Sequence, residues 1–340
     1  MDKRVIFATA GAGKTTFIID KLNKFERALI ITYTNTNYNN LLKKILIKFN
    51  GELPKNIVLM TYFNFLFRFC YKPFLSEKYK VNGITFEPNL NNYISQSSRQ
   101  YYINKSKLLY SNRISLLLEK EQLLDEIRSR IKTYFDVFFI DEVQDIAGRD
   151  FTFLEHLSSI EMNMLFVGDF YQHTFDTSRD GNVNNNLYTS KLNYEQRFSK
   201  LGILVDNENL KNSWRCSMNI CEYIKEKIRI DIKSNRTEDD NTILEYVKNS
   251  NRIKEILNDK CIIKLHYMNS SKFGNDHKNW GETKGEDNYQ DVCVLLNKKT
   301  AKQLKLNALD DLPQSTKNKL YVAITRARGN VYFIEEEDSI

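Results

Sequence analysis

Short apolar runs recur along the chain, and their spacing decides its class. Residues 5–8, 28–32, 57–60, 137–140 and 164–167 are apolar almost throughout, and each closes in a polar or glycine-bearing loop. Runs of this length predict strands buried on both faces of a parallel sheet. Between them, residues 16–25 set Phe17, Ile18, Leu22 and Phe25 at helical spacing, so the first half alternates strand and helix and predicts an α/β fold. Functional groups of such a sheet belong at the carboxyl ends of its strands. From the early seventies to residue 133 strand runs are few and a charged helix is predicted over 116–131, so 71–133 reads as a helical insertion. Strand runs return at 261–265, 292–296 and 331–334, which predicts a second α/β unit. The boundary is placed near 179–200, dividing the chain into 1–190 and 191–340.

Composition narrows this picture. With 340 residues and about 150 per domain, two domains fit, and 41% hydrophobic content supplies a core for both. Charged residues at 27%, with 4 Pro and 12 Gly, exclude a disordered or fibrous chain. The apolar run after Met1-Asp2-Lys3-Arg4 is too short for a signal-peptide core. No uncharged apolar stretch approaches the roughly 18 residues that cross a bilayer, so a cytoplasmic protein with no membrane partner is expected. Cys70, Cys216, Cys221, Cys261 and Cys293 form no C-x-x-C pair and read as reduced, structural thiols. His156, His173, His266 and His277 show no ligand spacing. Fifty basic against 43 acidic residues give +7, a weak pointer to a polyanion. The interleaving of Arg99, Tyr101, Tyr102, Lys105, Lys107, Tyr110 and Arg113 in the insertion sharpens it only slightly.

Chemistry enters after the first strand run. Thr9-Ala10-Gly11-Ala12-Gly13-Lys14-Thr15-Thr16 follows a strand and opens a helix, the order a phosphate-binding loop needs. Successive backbone N–H groups and the helix N-terminus can surround a β-phosphate, Gly11 and Gly13 allow close approach, Lys14 reaches the β/γ oxygens, and Thr15 ligates Mg²⁺. The first glycine of the G-x-x-x-x-G-K-[ST] pattern is Ala8 here. Residues 137–140 end in Asp141-Glu142-Val143-Gln144-Asp145, where Asp141 can hold the Mg²⁺ shell and Glu142 can orient or deprotonate the attacking water.

Eight segments in order now resemble a known family, the UvrD/Rep-like branch of superfamily 1 helicases. Residues 9–16 resemble its motif I, Ile31-Thr32-Tyr33-Thr34-Asn35 motif Ia, Thr61-Tyr62-Phe63-Asn64-Phe65 motif Ib, and 141–145 motif II. Val167-Gly168-Asp169-Phe170-Tyr171-Gln172 is similar to motif III, Asn212-Ser213-Trp214-Arg215-Cys216 to motif IV, Thr283-Lys284-Gly285 to motif V, and 321–327 to motif VI. Only 65 residues separate Ser217 from Thr283, where large relatives insert an accessory domain. The chain is therefore a minimal version, and the stretch from Gly281-Glu282-Thr283-Lys284-Gly285 to Thr325-Arg326-Ala327-Arg328 looks especially like the short members found in phages and bacterial defence loci.

The resemblance implies two RecA-like P-loop NTPase domains with parallel sheets, the first carrying the insertion, with ATP and Mg²⁺ in the cleft between them. Lys14, Glu142, Gln172, Arg215 and Arg326 then form the catalytic set, with Gln172 sensing the γ-phosphate and the two arginines acting as fingers. Residues Ala10 to Thr16, Trp214, Gly285 and either Glu286 or Asp287 hold the nucleotide, Trp214 stacking on the base and the acid holding the ribose. Tyr33 and Phe63 stack on bases of a single DNA strand while Thr34, Asn35 and Thr61 hold phosphates; RNA stays open as the track. The implied activity is an ATP-dependent helicase moving 3′ to 5′. The alternative is an ATP-gated regulatory or loading subunit of a partner nuclease or anti-phage defence complex, with little unwinding of its own.

Overall fold

Each of the eight apolar runs forms a strand in the computed structural model, which describes residues 1–89, 93–174, 176–178, 182–237, 241–286 and 288–339. Arg179, at the edge of the expected boundary, and Asp287 lie outside the described residues. The chain forms two units: Met1–Ile6, Thr15–Gly168 and Asp176–Asp206 in the first, and Phe7–Lys14, Asp169–Phe175 and Asn207–Ile340 in the second.

The first unit is built on a six-stranded sheet of β1 (Lys3–Phe7), β2 (Ala28–Thr32), β3 (Ile57–Thr61), β4 (Val137–Asp141), β5 (Asn163–Gly168) and β6 (Leu204–Asp206), in the order β3-β2-β4-β5-β1-β6. The pairs β2·β3, β2·β4, β4·β5 and β1·β6 are parallel. The starts of β1 and β5 also meet, Met164 N–H donating to Asp2 O at 2.9 Å. All five residues of β2 and of β4 are buried, which is why their sequences show no polar alternation. Parallel pairing places the carboxyl ends of β2, β3, β4 and β5 on one edge, and the segments at 33–35, 61–63, 141–145 and 168 sit there.

Two helix expectations need correction. The helix after the phosphate loop is Lys14–Lys21 and does not reach Phe25, whose ring is exposed. Asn23 Oδ1 accepts from the N–H groups of Phe25 and Glu26, both at 2.9 Å, and such a side-chain turn competes with continued helix. The charged helix expected over 116–131 is two helices, Ile114–Lys120 and Leu124–Tyr134. The break is at Gln122, with φ 58°, where Leu123 N–H bonds back to Leu118 O at 3.0 Å. The insertion also carries a small parallel pair, Gly83–Thr85 with Leu108–Tyr110.

Helix Gly148–Leu157, downstream of β4, buries Asp150 completely. Hydroxyls of Ser115, Thr177 and Tyr62 face its carboxylate without closing a hydrogen bond of good geometry. Burial raises its pKa to about 6, against the partial help of those hydroxyls to the charged form. An acid whose folded pKa exceeds its unfolded value of about 3.9 costs stability above the folded pKa and is relieved as pH falls through it. Asp150→Asn is therefore expected to raise unfolding stability by about 2–3 kcal/mol at pH 7.5. The gain should shrink as pH falls from 7 towards 4, a difference that urea denaturation of the two proteins side by side measures.

The second unit has a five-stranded sheet of β7 (Leu244–Tyr246), β8 (Ile263–His266), β9 (His277–Asn279), β10 (Val292–Leu296) and β11 (Val331–Glu335), ordered β7-β11-β10-β8-β9 and parallel in every pair. Alternation along its central strands decides which face meets which core. Val292, Val294, Leu296, Val331 and Phe333 join the larger core with helix residues Ile220, Ile224, Leu320 and Ile324. Cys293, Leu295, Tyr332 and Ile334 pack on the other face with Ile253 and Ile256. Among the described residues no helix is long and apolar enough to cross a membrane.

Candidate functional site

The candidate phosphate loop takes its shape from hydrogen bonds to distant segments of the second unit. Thr9 N–H donates to Leu210 O at 3.0 Å and its hydroxyl to Lys211 O at 2.9 Å. Trp214 N–H donates to Gly11 O at 3.0 Å, and Ala10 N–H donates to Tyr321 Oη at 2.9 Å. Gly11 has φ +71°, and a Cβ there would lie 2.6 Å from Arg215 Cβ and 2.7 Å from Ser213 Oγ. Both the left-handed backbone and the approach of 213–215 therefore demand glycine. Nothing stands within 4 Å of the corresponding point above Gly13, so the loop is open on that side. Ala8 keeps out of the left-handed region, which explains why alanine serves where the pattern has glycine. Ala12 and Lys14 are buried. In the first unit Thr15 follows directly in the helix, while the hydroxyl of Thr16 accepts from Lys44 Nζ at 3.1 Å on an exposed surface.

In the first unit the turn after β4 carries the acidic pair. Asp141 and Glu142 are buried, and Glu142 has φ 61°, a left-handed conformation rare for a residue with a side chain. The Gln144 amide donates to the Glu142 carboxylate. Gly168 lets β5 pass close by, since a Cβ there would stand 2.4 Å from Gln144 Oε1. Tyr194 and Tyr188 hydroxyls donate to Val143 O and Ile146 O at 3.2 and 2.8 Å, and Thr177 N–H to Asp145 O at 3.1 Å. These bonds hold two carboxylates in a fixed turn, an arrangement able to hold a cation and to orient a water.

In the second unit the Asp169 carboxylate accepts from Tyr171 N–H at 3.1 Å, capping the short turn that ends in buried Gln172. Arg215 is buried, and its Nη1 donates to Thr325 O at 2.9 Å. The Arg326 guanidinium is also buried, donating to Val322 O, Thr283 O and Glu286 O at 3.3, 3.1 and 3.1 Å. The structure thus brings together the segments at 10–14, 169–172, 213–215, 283–286 and 321–326. Trp214 is 66% exposed, its indole available for stacking. The Glu286 carboxylate accepts from Lys278 Nζ at 2.6 Å and from the Tyr289 hydroxyl. Gly285 has φ 84°.

The strand-facing candidates lie at the carboxyl edge of the first sheet. Thr34 caps helix Asn35–Lys48, its hydroxyl accepting from Asn37 N–H at 3.1 Å, and Asn35 is exposed in the first turn. Thr61 is buried at the end of β3. Phe63 is buried too, 6.0 Å from Tyr33 and 5.1 Å from Phe86 between ring centroids. The exposed ring of this cluster is Phe86, at 69%, which nothing in the sequence distinguished. In the insertion Arg113 is buried over the Tyr101 ring at 3.7 Å and donates to Tyr101 O at 2.7 Å, while Lys105 and Lys107 are exposed.

The sequence matches the viral superfamily 1 RNA helicase core domain over residues 103–335. The chain belongs to this helicase family. No curated protein sequence matches it. Among solved structures, the arterivirus nonstructural protein 10 helicase is 14% identical at a TM-score of 0.50, covering 98% of this chain and 59% of that one. The same helicase in complex with DNA gives 15%, 0.49, 98% and 61%, and the PRRSV helicase 14%, 0.49, 98% and 52%. At such identity the first of these likenesses speaks for the fold alone. This chain spans between about half and three fifths of the length of those helicases.

Proposed function

We propose that the chain is a nucleoside-triphosphate-dependent helicase motor whose two units are RecA-like domains. The observation that carries this is the hydrogen bonding of the phosphate loop, through Gly11 O and Ala10 N–H, to the two segments that bear Arg215 and Arg326. A loop built to surround phosphates is thereby tied to the residues able to stabilise charge during their transfer. Lys14 and the backbone N–H groups of residues 11–15 bind the triphosphate of ATP, the open side of Gly13 giving it room. Thr15 and Asp141 are the residues suited to Mg²⁺, which would neutralise phosphate charge. Glu142, fixed by Gln144, accepts a proton from the attacking water. Gln172 contacts the γ-phosphate, Trp214 stacks on the base, and Arg215 and Arg326 supply positive charge as it is transferred.

The polymer is a single strand, DNA in the first instance, lying along the edge that bears Tyr33, Thr34, Asn35, Thr61 and Phe63. Movement 3′ to 5′ belongs to the UvrD/Rep-like reading, as does a place in phage or defence systems. Strand displacement on duplexes with a 3′ or a 5′ single-stranded tail tests the direction. Unwinding from the 3′ tail is expected; unwinding only from the 5′ tail overturns that subtype and leaves the motor reading standing. Binding is expected to tolerate sequence change yet weaken with salt, with a log–log slope of about −0.7 per phosphate neutralised. Tyr33→Ala should weaken binding with that slope nearly constant, and Lys105→Ala should flatten it if the insertion touches the strand. Filter binding over a salt series measures both.

A further inference from the structure

We infer that Tyr321 is a positioning residue that holds the phosphate loop in register with Asp169 and the helix that precedes Arg326, through a hydroxyl shared between Ala10 N–H and the Asp169 carboxylate. The inference rests on the motor reading above and adds to it a residue outside the catalytic set. Its Oη accepts from Ala10 N–H at 2.9 Å and donates to Asp169 Oδ2 at 3.2 Å. A buried tyrosine hydroxyl needs a partner, and a single nearby carbonyl would satisfy it. Here both partners are far away in sequence, 311 and 152 residues off, and both lie in segments that the motor reading assigns to the phosphates.

The surroundings leave the ring little freedom. Tyr321 and Ala10 are both fully buried in the larger core of the second unit, and Tyr171 packs edge-on against Tyr321 at 6.1 Å. One helical turn earlier the Asn318 amide donates to His173 O at 3.0 Å, so helix Gln314–Ile324 grips segment 169–173 at two points on one face. The same Asp169 carboxylate caps the turn leading to Gln172, and the helix ends at Ile324, directly before Thr325 and Arg326. Burial and the nearby Asp169 charge push the Tyr321 hydroxyl well above its ordinary value, so it stays protonated and able to donate. One oxygen therefore fixes three distances at once: loop to Asp169, loop to helix, and Asp169 to helix.

Tyr321→Phe removes that oxygen and keeps the ring. It is expected to lower kcat for ATP about tenfold, with KM changed by less than about twofold, since a positioning contact acts on the transition state more than on binding. Asp169→Asn should lower kcat comparably, and the double variant should be no slower than the slower single one, because both break one network. Amide exchange supplies a readout independent of hydrolysis: protection in residues 7–14 should fall about tenfold in Tyr321→Phe, with residues 298–305 unchanged. Unchanged loop protection, unchanged kcat, additive variants, or a kcat loss matched by a lower folded fraction each overturns the inference. If the wild-type chain hydrolyses no nucleotide, the motor reading fails by itself, and the exchange result alone decides the role of Tyr321.

Discussion

Lys14→Ala and Glu142→Gln are expected to abolish turnover by different routes. Lys14 is buried at the start of helix Lys14–Lys21, and in the proposed site its removal takes a positive charge from the phosphates, so binding and chemistry should both suffer. Glu142→Gln keeps the shape of the turn but loses the group proposed to accept a proton from water, a contribution of about 10²–10⁴ in rate. The Gln144 amide, which donates to the carboxylate, can still donate to the new amide oxygen, so the turn should survive. Nucleotide affinity of Glu142→Gln, measured by fluorescence titration, should stay within a few-fold of wild type while kcat collapses. Near-normal hydrolysis by this variant would remove Glu142 from the chemistry.

Replacing either arginine should give the second large effect. A guanidinium acting on charge that develops during phosphoryl transfer is worth about 10³ or more in kcat. Arg215→Ala is expected to lose that factor with little change in nucleotide affinity. Arg215 Nη1 also donates to the buried Thr325 O, and Arg326 needs more care still, because its guanidinium satisfies Val322 O, Thr283 O and Glu286 O in this conformation. Truncation to alanine would strip buried carbonyls of donors and destabilise the helix end as well as the chemistry. Arg326→Lys keeps the charge and loses the fork; a large fall in kcat with an unchanged melting temperature would separate a catalytic role from a packing one. An unchanged kcat would mark Arg326 as a residue that only braces residues 283–286 against helix Gln314–Ile324.

What could be read in the sequence follows from how locally each feature is specified. Strands such as Ala28–Thr32 and Val292–Leu296 were legible to the residue, because burial on both faces leaves an uninterrupted apolar run. The break at Gln122 was not, since Glu119-Lys120-Glu121-Gln122 are all good helix formers and the left-handed turn is set by packing. Phe25 fell on the helical period, yet Asn23 ends the helix first. At the site, the loop and the acidic pair were visible as motifs, whereas their anchors were not. Tyr321 reads as a core aromatic, and only the fold shows its hydroxyl on Ala10 N–H. Gly11 reads as room for a phosphate; the structure adds that Ser213 and Arg215 need the same space. Phe63 and Phe86 could not be ranked by sequence, because which of two contacting rings covers the other depends on the insertion folding back.

The central claim, that polymer binding and triphosphate hydrolysis are one coupled activity of this chain, is tested most directly by its rate of ATP hydrolysis alone and with single-stranded DNA, single-stranded RNA or blunt duplex. A strong and selective rise with a single-stranded polymer, absent in Glu142→Gln, is the expected result, and the polymer that gives it names the track. Hydrolysis that is equal with and without every polymer, or that responds only to blunt duplex, would contradict it.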